Sequence, residues 1–212
     1  GYEALALLSE LSGSPKIANE LIRPYIADVP TSGDLDVTTL GPLIADIMPE
    51  ESIVSDESAT SSLIVTPHAL QAKPHDWLAL TGGSIGQGLP LAIGASIAKP
   101  DRPVITLHGD GGAMYTVQAL WTQARENLNI TNIIFSNRSY EILKIELDRV
   151  QAVETGERAA SMFSMDNPPI DWVNLAESMG VQGYKPKTVK EFKDVFSKSV
   201  NESGPSLIEI EI

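Results

Sequence analysis

Two short polar clusters, each directly behind an apolar run, carry the residues best suited to chemistry. His108, Gly109, Asp110, Gly111 and Gly112 follow Val104 to Leu107, and Ser136, Asn137, Arg138 and Ser139 follow Ile133 to Phe135. Together they offer a carboxylate, a side-chain amide and several backbone carbonyls. These are hard oxygen donors, suited to Mg2+ or Ca2+ rather than to zinc. Glycines on both sides of Asp110 let backbone amides approach an anion with no Cβ in the way. The chemistry in prospect is therefore a divalent cation held beside a bound anion.

Clusters this far apart cooperate only if the fold brings them to one edge. Val104 to Leu107 is a continuous apolar run, the kind of strand buried on both faces of a parallel sheet. A helix from about Val117 to Asn127 joins it to a second such strand, Ile133 to Phe135. Loops that follow parallel strands share the carboxyl edge of the sheet, where α/β folds bind ligands. The alternation extends both ways. Upstream, Val37, Leu40, Leu43, Ile44 and Ile47 recur at helical spacing within Asp36 to Met48, and Pro49 stops that helix. Ile53 and Val54 read as a short strand ending in the polar run Ser55 to Ser62, which opens a helix and suits anion capture. Residues 81–98 begin glycine-rich and continue as a helix of small and aliphatic residues, which permit close packing or close approach of a ligand. Downstream come helices Trp172 to Met179 and Val189 to Val200 and a terminal strand, Leu207 to Ile212. This pattern predicts an α/β fold: a doubly wound, mostly parallel sheet with helices on both faces. Between about Gln151 and Pro169, Gly, Asn and Pro argue against regular structure, and a long loop is expected, either a lid over the site or a plain surface loop.

The amino-terminal part reads differently. Tyr2 to Leu11 has the pattern of an amphipathic helix, Ser12, Gly13, Ser14 and Pro15 break it, and Pro24, Pro30 and Gly33 mark a polar connection. Residues 1–35 thus read as a linker or the tail of a preceding domain and 36–212 as the functional domain; a start at Gly1 rather than Met reads as a fragment of a longer chain. Composition narrows the classes further. With 28 acidic against 15 basic residues the net charge is -13, which argues against a nucleic-acid partner. The lack of Cys excludes disulfide scaffolds, Cys-based zinc sites and thiol nucleophiles. No run of 18 apolar residues and no secretory signal are present, so no membrane partner is expected and the cytoplasm is the expected compartment.

Gly109-Asp110-Gly111, a 24-residue spacer and Ser136-Asn137 resemble the metal and diphosphate motif of thiamine-diphosphate enzymes, whose pattern is GDG, a spacer of this length and NN. The first Asn of the pair is Ser136 here, while the position matching the ligand is kept. The resemblance runs from about Asp36 to Ile212. It points to the carboxyl-terminal, pyrophosphate-binding domain of the family that includes acetolactate synthase and benzoylformate decarboxylase. It implies that Asp110 and Asn137 supply side-chain oxygens, and Ser139 a backbone carbonyl, to a Mg2+ bridging the two phosphates. That ion also offsets the local negative charge of so acidic a chain. On the same likeness, Ala59 and Thr60 meet the diphosphate beside Gly109, Gly111 and Gly112, and Ala113, Tyr140 and Ile142 lie near the diphosphate and the thiazolium. The stretch TGGSIGQGLPLAIG, residues 81–94, matches the lining of the thiamine rings. Within it Gly83 would offer its carbonyl to the aminopyrimidine, and Ile85 would be the apolar wedge that bends the cofactor.

The implied activity is decarboxylation, carboligation or both, on a small 2-keto acid. Pyruvate decarboxylases carry a catalytic Glu just after the Asn loop, and Leu143 stands there instead, which leans toward the benzoylformate or acetolactate branch. The family's activating Glu comes from a pyrimidine-binding domain of the same or a neighbouring chain, so no catalytic residue is assigned here and a homodimer or homotetramer is implied. The alternative is a non-catalytic binding or assembly module that kept the fold; Asp110 and Asn137 favour the enzyme, because an assembly module has no physical need for paired metal oxygens.

The remaining polar and aromatic residues receive plainer readings. His108 is expected as a satisfied core histidine, His68 and His75 as solvent-facing loop residues, and Leu120 with Trp121 as core. Gly83, Gly86 and Gly88 do not make a dinucleotide fingerprint, because the spacing fails at Leu91 and no clear strand precedes them. No GK[ST] phosphate loop exists. An uncovered apolar face around Gly83, Ile85 and Leu89 is expected to drive self-association.

Overall fold

The computed structural model describes residues 2–13, 28–69, 71–150 and 156–212. In chain order its elements are α1 (Tyr2–Leu11), α2 (Val37–Ile47), β1 (Ile53–Glu57), a 3-10 turn (Ala59–Ser61), α3 (Ser62–Ala69), β2 (Asp76–Ala79), α4 (Gly88–Ala98), β3 (Val104–Gly109) and α5 (Asp110–Ala113). They continue with α6 (Ala119–Arg125), β4 (Ile130–Ser136), α7 (Glu141–Arg149), α8 (Glu157–Ser161), α9 (Trp172–Ser178), β5 (Gln182–Tyr184), α10 (Val189–Asn201) and β6 (Ser206–Glu211). The six strands form one sheet in the order β2-β1-β3-β4-β6-β5. Every pairing is parallel, so the sheet is parallel throughout rather than mostly so.

Period-two alternation sorts the strand residues onto two covered faces. Val54, Ile105, Leu107, Ile133, Phe135, Ile208 and Ile210 pack with Leu40 and Ile44 of α2, Val65 of α3 and Phe192 and Phe196 of α10. Ile134 and Leu207 face the other way, toward Leu89 of α4, Leu120 of α6 and Trp172 of α9. Helices therefore cover both faces, as a doubly wound sheet requires. Side-chain caps fix the starts of α2 and α10: Asp36 accepts from the amides of Thr38 and Thr39 at 2.8 and 2.9 Å, and Thr188 with Glu191 closes a capping box on α10.

β1 does not end at Val54 but runs through Ser55, Asp56 and Glu57, because parallel pairing with β3 continues to Glu57↔His108. A strand does precede the glycine segment: β2 pairs with β1, although its residues are only half-covered at the sheet edge and show no apolar run. β5 is a second short edge strand, and α7 follows the Asn137 loop directly. Trp121 is not core. It is 52% exposed with the Arg125 guanidinium 5.0 Å over its ring, while its neighbour Leu120 is fully buried. His68 lies in α3, not in a loop, and backs onto Gly41, where an added Cβ would meet His68 Cβ at 2.8 Å. His75 is in a loop, half-buried edge-on to Trp77. Leu89 is fully buried and is no part of an exposed face.

At the amino-terminal end, α1 is exposed along its described side chains, and Val29 and Leu35 pack against the core, so the packed body begins before Asp36. Ser14, Pro15 and Pro24 of the expected linker, and the start of the expected loop at Gln151, lie outside the described residues. Among the described residues no helix is long and apolar enough to cross a membrane.

Candidate functional site

The strand order reverses between β1 and β3, with β2 on one side of β1 and the later strands on the other. In open α/β sheets the crevice outside the carboxyl ends at such a reversal is where ligands bind. A cleft of about 420 Å3 opens there. Ala59, Thr60, Gly83, Ile85, Gly109, Asp110, Gly111, Gly112, Asn137, Ser139, Tyr140 and Ile142, all singled out from sequence, line it together. Ala113 is the exception, fully buried in the α4-side core.

Asp110 is only 3% exposed and is tied into its surroundings through both oxygens. Its Oδ1 accepts from the Gly111 amide at 2.8 Å and its Oδ2 from the Arg138 amide at 2.7 Å, a contact that binds the end of β3 to the loop after β4. Arg138 takes a left-handed conformation, φ 54°, to present that amide. Its guanidinium is held by Asp166 at 3.1 Å and by Glu211. Asn137 Oδ1 accepts from the Ser139 amide at 2.9 Å, a local turn that fixes the side chain beside Asp110's loop. Burial raises the Asp110 carboxyl above its ordinary value, against the opposing pull of the Arg138 and Gly111 amides. A cation beside it would favour the charged form.

The glycines are required by space as well as by ligand access. A Cβ at Gly111 would sit 2.8 Å from Tyr140 Cδ1, and one at Gly112 would sit 2.9 Å from Glu57 Oε1. Each turns bare backbone toward the cleft, where an anion can be met by amides. Among the described residues no group of three or more His, Cys, Asp or Glu gathers to hold a metal. The oxygen-bearing groups from the two loops that line the cleft include the Asp110 carboxylate, the Asn137 amide and the Ser139 backbone. That set suits Mg2+, which binds through one or two carboxylates and completes its octahedron with water and phosphate oxygens.

The expected loop before Pro169 is neither a free lid nor a plain surface loop over its described part. After α8, the chain runs alongside the Asn137 loop: the Tyr140 amide donates to Phe163 O at 2.9 Å and the Met165 amide to Arg138 O at 2.8 Å. Met165 Sδ lies beside Gly111. The segment is thus a strap that holds the loop carrying Asn137 and Ser139.

His108 is fully buried, as expected of a core histidine, but its partner was not foreseen. Its Nε2 lies 3.1 Å from Oε2 of Glu57, an ion-pair contact rather than a well-aligned hydrogen bond, and its Nδ1 lies 3.0 Å from Gly109 O. Glu57 also accepts from the amides of Gly86 and Gly88, each at 2.6 Å. Burial pushes the Glu57 carboxyl up, yet the His108 ring and these two amides together hold it below the usual carboxylate range. Glu57 borders the cleft and was passed over in the sequence as part of a polar run. The signal was there: Ile53, Ser55 and Glu57 share one face of β1, and that face is covered by α4.

The family model described as "Thiamine pyrophosphate enzyme, C-terminal TPP binding domain" matches residues 59–210. IlvX of Mycobacterium tuberculosis, a protein named after acetolactate synthase large subunits, is 44% identical over 84% of this chain and 35% of its own length. Benzoylformate decarboxylase of Pseudomonas aeruginosa is 26% identical over 97% of the chain and 38% of its own. Among solved structures, the thiamine diphosphate-dependent 4-hydroxybenzoylformate decarboxylase of Rhodococcus jostii RHA1 superposes with a TM-score of 0.73 at 30% identity, covering 87% of this chain and 34% of that one. The chain spans a little over a third of the length of these curated relatives. Since the matched span begins at Ala59 behind β1 and reaches Ile210 in β6, taking in both loops that meet at the cleft, the chain belongs to the thiamine pyrophosphate enzymes as a C-terminal TPP-binding domain.

Proposed function

We propose that this chain holds the diphosphate of thiamine diphosphate through Mg2+ and contributes one wall of a site that decarboxylates or carboligates a 2-keto acid. The observation that carries the reading is the convergence of Asp110, Asn137 and the bare backbone of Gly109, Gly111 and Gly112 on one cleft at the strand reversal. In this reading Asp110 and Asn137 give side-chain oxygens and Ser139 its carbonyl to Mg2+, and residues 36–212 form the binding domain together with Val29 and Leu35, which pack on its core. Ala59 and Thr60 face the diphosphate from the β1 side, and the backbone at Ala113 closes the end of the glycine turn. Gly83 and Ile85 meet the rings, with Tyr140 and Ile142 beside the thiazolium. Bound thiamine diphosphate supplies the electron sink for cleaving or forming the bond next to the keto carbon.

The described carboxylates on the cleft are all engaged elsewhere. Glu57 is taken by two amides and His108, Asp110 by two amides, and Glu141 by Ser139 Oγ at 3.2 Å and Lys144 Nζ at 3.1 Å. An activating carboxylate therefore comes from a pyrimidine-binding domain of the same or a neighbouring chain. The open rim, with Ile85 50%, Tyr115 60% and Leu143 46% exposed, supports such a covering surface and a homodimer or homotetramer. Leu143, an apolar side chain on the cleft, stands where the pyruvate decarboxylases carry their Glu, and the neighbouring Glu141 is held by Ser139 and Lys144, which supports the benzoylformate or acetolactate type over simple pyruvate decarboxylation.

The full-length protein should release CO2 from benzoylformate or form an acetolactate-type product from pyruvate, only with both Mg2+ and thiamine diphosphate. Ile85→Ala sharpens the test. Ile85 projects into the cleft from a turn that does not carry the diphosphate ligands, so its loss should lower kcat by roughly tenfold, with cofactor affinity changed by about threefold or less. Equal losses in both quantities, or a loss of folding, would make Ile85 an ordinary packing residue.

A further inference from the structure

Glu57 is a buried charged group on the cleft that the cofactor assignment leaves unused. Its two oxygens face two backbone amides of one glycine turn, Gly86 and Gly88, at the amino end of α4. Oε2 also faces His108 at the end of β3. One carboxylate thus joins three pieces of the cleft: the end of β1, the turn that follows Gly83 and Ile85, and the strand that leads into Asp110. Gly82, Gly83 and Gly86 of the turn all take positive φ, and Gly82 and Gly83 have no atom near an added Cβ. The other side-chain cross-links reach its carbonyls, not its amides: Thr116 Oγ1 donates to Gly86 O at 2.6 Å and Ser55 Oγ to Gly88 O at 2.9 Å.

Resting on the function proposed above, we propose that Glu57 is a positioning residue: by occupying the Gly86 and Gly88 amides it sets where Gly83 and Ile85 stand relative to Asp110. Two consequences follow from its chemistry. The amides of an unoccupied helix start attract anions, and an internal carboxylate there leaves the diphosphate only the glycine backbone beside Asp110. A carboxylate accepts from both amides at once, one on each oxygen. A Gln in its place keeps the shape but sets an NH2 donor against one N–H.

Glu57→Gln in the full-length protein tests this, and amide hydrogen exchange without cofactor reads it independently of activity. Exchange at Gly86 and Gly88 should rise by roughly tenfold or more, the scale of losing a hydrogen bond to a charged acceptor, while amides of β4 and α6 keep their protection. In the loaded enzyme kcat should fall by about tenfold with the affinity for Mg2+ and thiamine diphosphate within about threefold, because the anchor at Asp110 is untouched. Wild-type protection at Gly86 and Gly88 would overturn the proposal. So would a uniform rise in exchange across the sheet, which marks general destabilisation instead. Should the Gln variant fail to fold, Glu57→Asp keeps the charge one carbon short, and it must show the same local rise at Gly86 or Gly88 for the proposal to stand. If wild-type protein binds no thiamine diphosphate but Glu57→Gln still loosens these two amides alone, the positioning of the turn stands and the cofactor assignment falls.

Discussion

Asp110→Asn is expected to lower the affinity of the full-length protein for thiamine diphosphate in Mg2+ by roughly a hundredfold, with the fold intact. The substitution removes the one carboxylate among the proposed metal donors while keeping an oxygen that can still accept from an amide. Both of its present partners, the Gly111 amide in α5 and the Arg138 amide in the loop after β4, lie beyond the strand ends, so the sheet does not depend on the charge. One amide meets an NH2 and loses its acceptor, at a cost of about 1–3 kcal/mol. Removing a buried carboxylate whose ionisation is disfavoured by burial offsets part of that cost. Calorimetric titration of the cofactor, paired with urea unfolding of the cofactor-free variant, separates the two effects. An unchanged affinity would show that Asp110 holds no metal.

The second large effect concerns the 212-residue chain by itself. With saturating Mg2+ and thiamine diphosphate it should give no measurable turnover of pyruvate or benzoylformate, and activity should appear when a pyrimidine-binding domain is supplied in trans. Every described acid on its cleft is already hydrogen-bonded or ion-paired within the chain, and the apolar rim at Ile85, Tyr115 and Leu143 is open to water. Water at the reacting carbon weakens electrostatic control and removes protection from reactive species. Robust turnover of the isolated chain would mean that one of these acids, Glu57 or Glu141 first, serves as the activating group.

The sequence revealed the centre of the fold better than its edges, for physical reasons. β3 and β4 are buried on both faces and carry mostly apolar residues, Val104, Ile105 and Leu107 in one and Ile133 to Phe135 in the other, so the loops behind them could be assigned to one edge from the sequence. β2 and β5 lie at the sheet's margins, half-covered and short, and carry no such run. The extension of β1 was hidden because its buried face near the cleft is polar: Ser55 donates to Gly88 O at 2.9 Å and Glu57 serves two amides. Periodicity detects burial only when the buried residues are apolar. The same cause concealed Glu57, while His108, recognised as buried, could not name its partner 51 positions upstream. Trp121 misled in the opposite direction, since a large aromatic in a helix suggests core, yet it lies on α6's outer face under Arg125.

The strap from Phe163 to Met165 shows a further limit of pattern reading. Its contacts with Arg138 and Tyr140 are main-chain hydrogen bonds, which leave no trace in residue type. Only the folded structure shows that a stretch with loop-like composition supports the loop carrying Asn137 and Ser139.

Calorimetric titration of thiamine diphosphate into the full-length protein, with Mg2+ and again with the metal chelated, tests most directly whether this chain anchors a diphosphate through a divalent cation at Asp110 and Asn137. One cofactor should bind per chain with Mg2+, and at least about tenfold more weakly without it, since a chain of net charge -13 has little else to set against two phosphates. Binding of equal strength in chelator, or no binding in either condition, would contradict that anchoring.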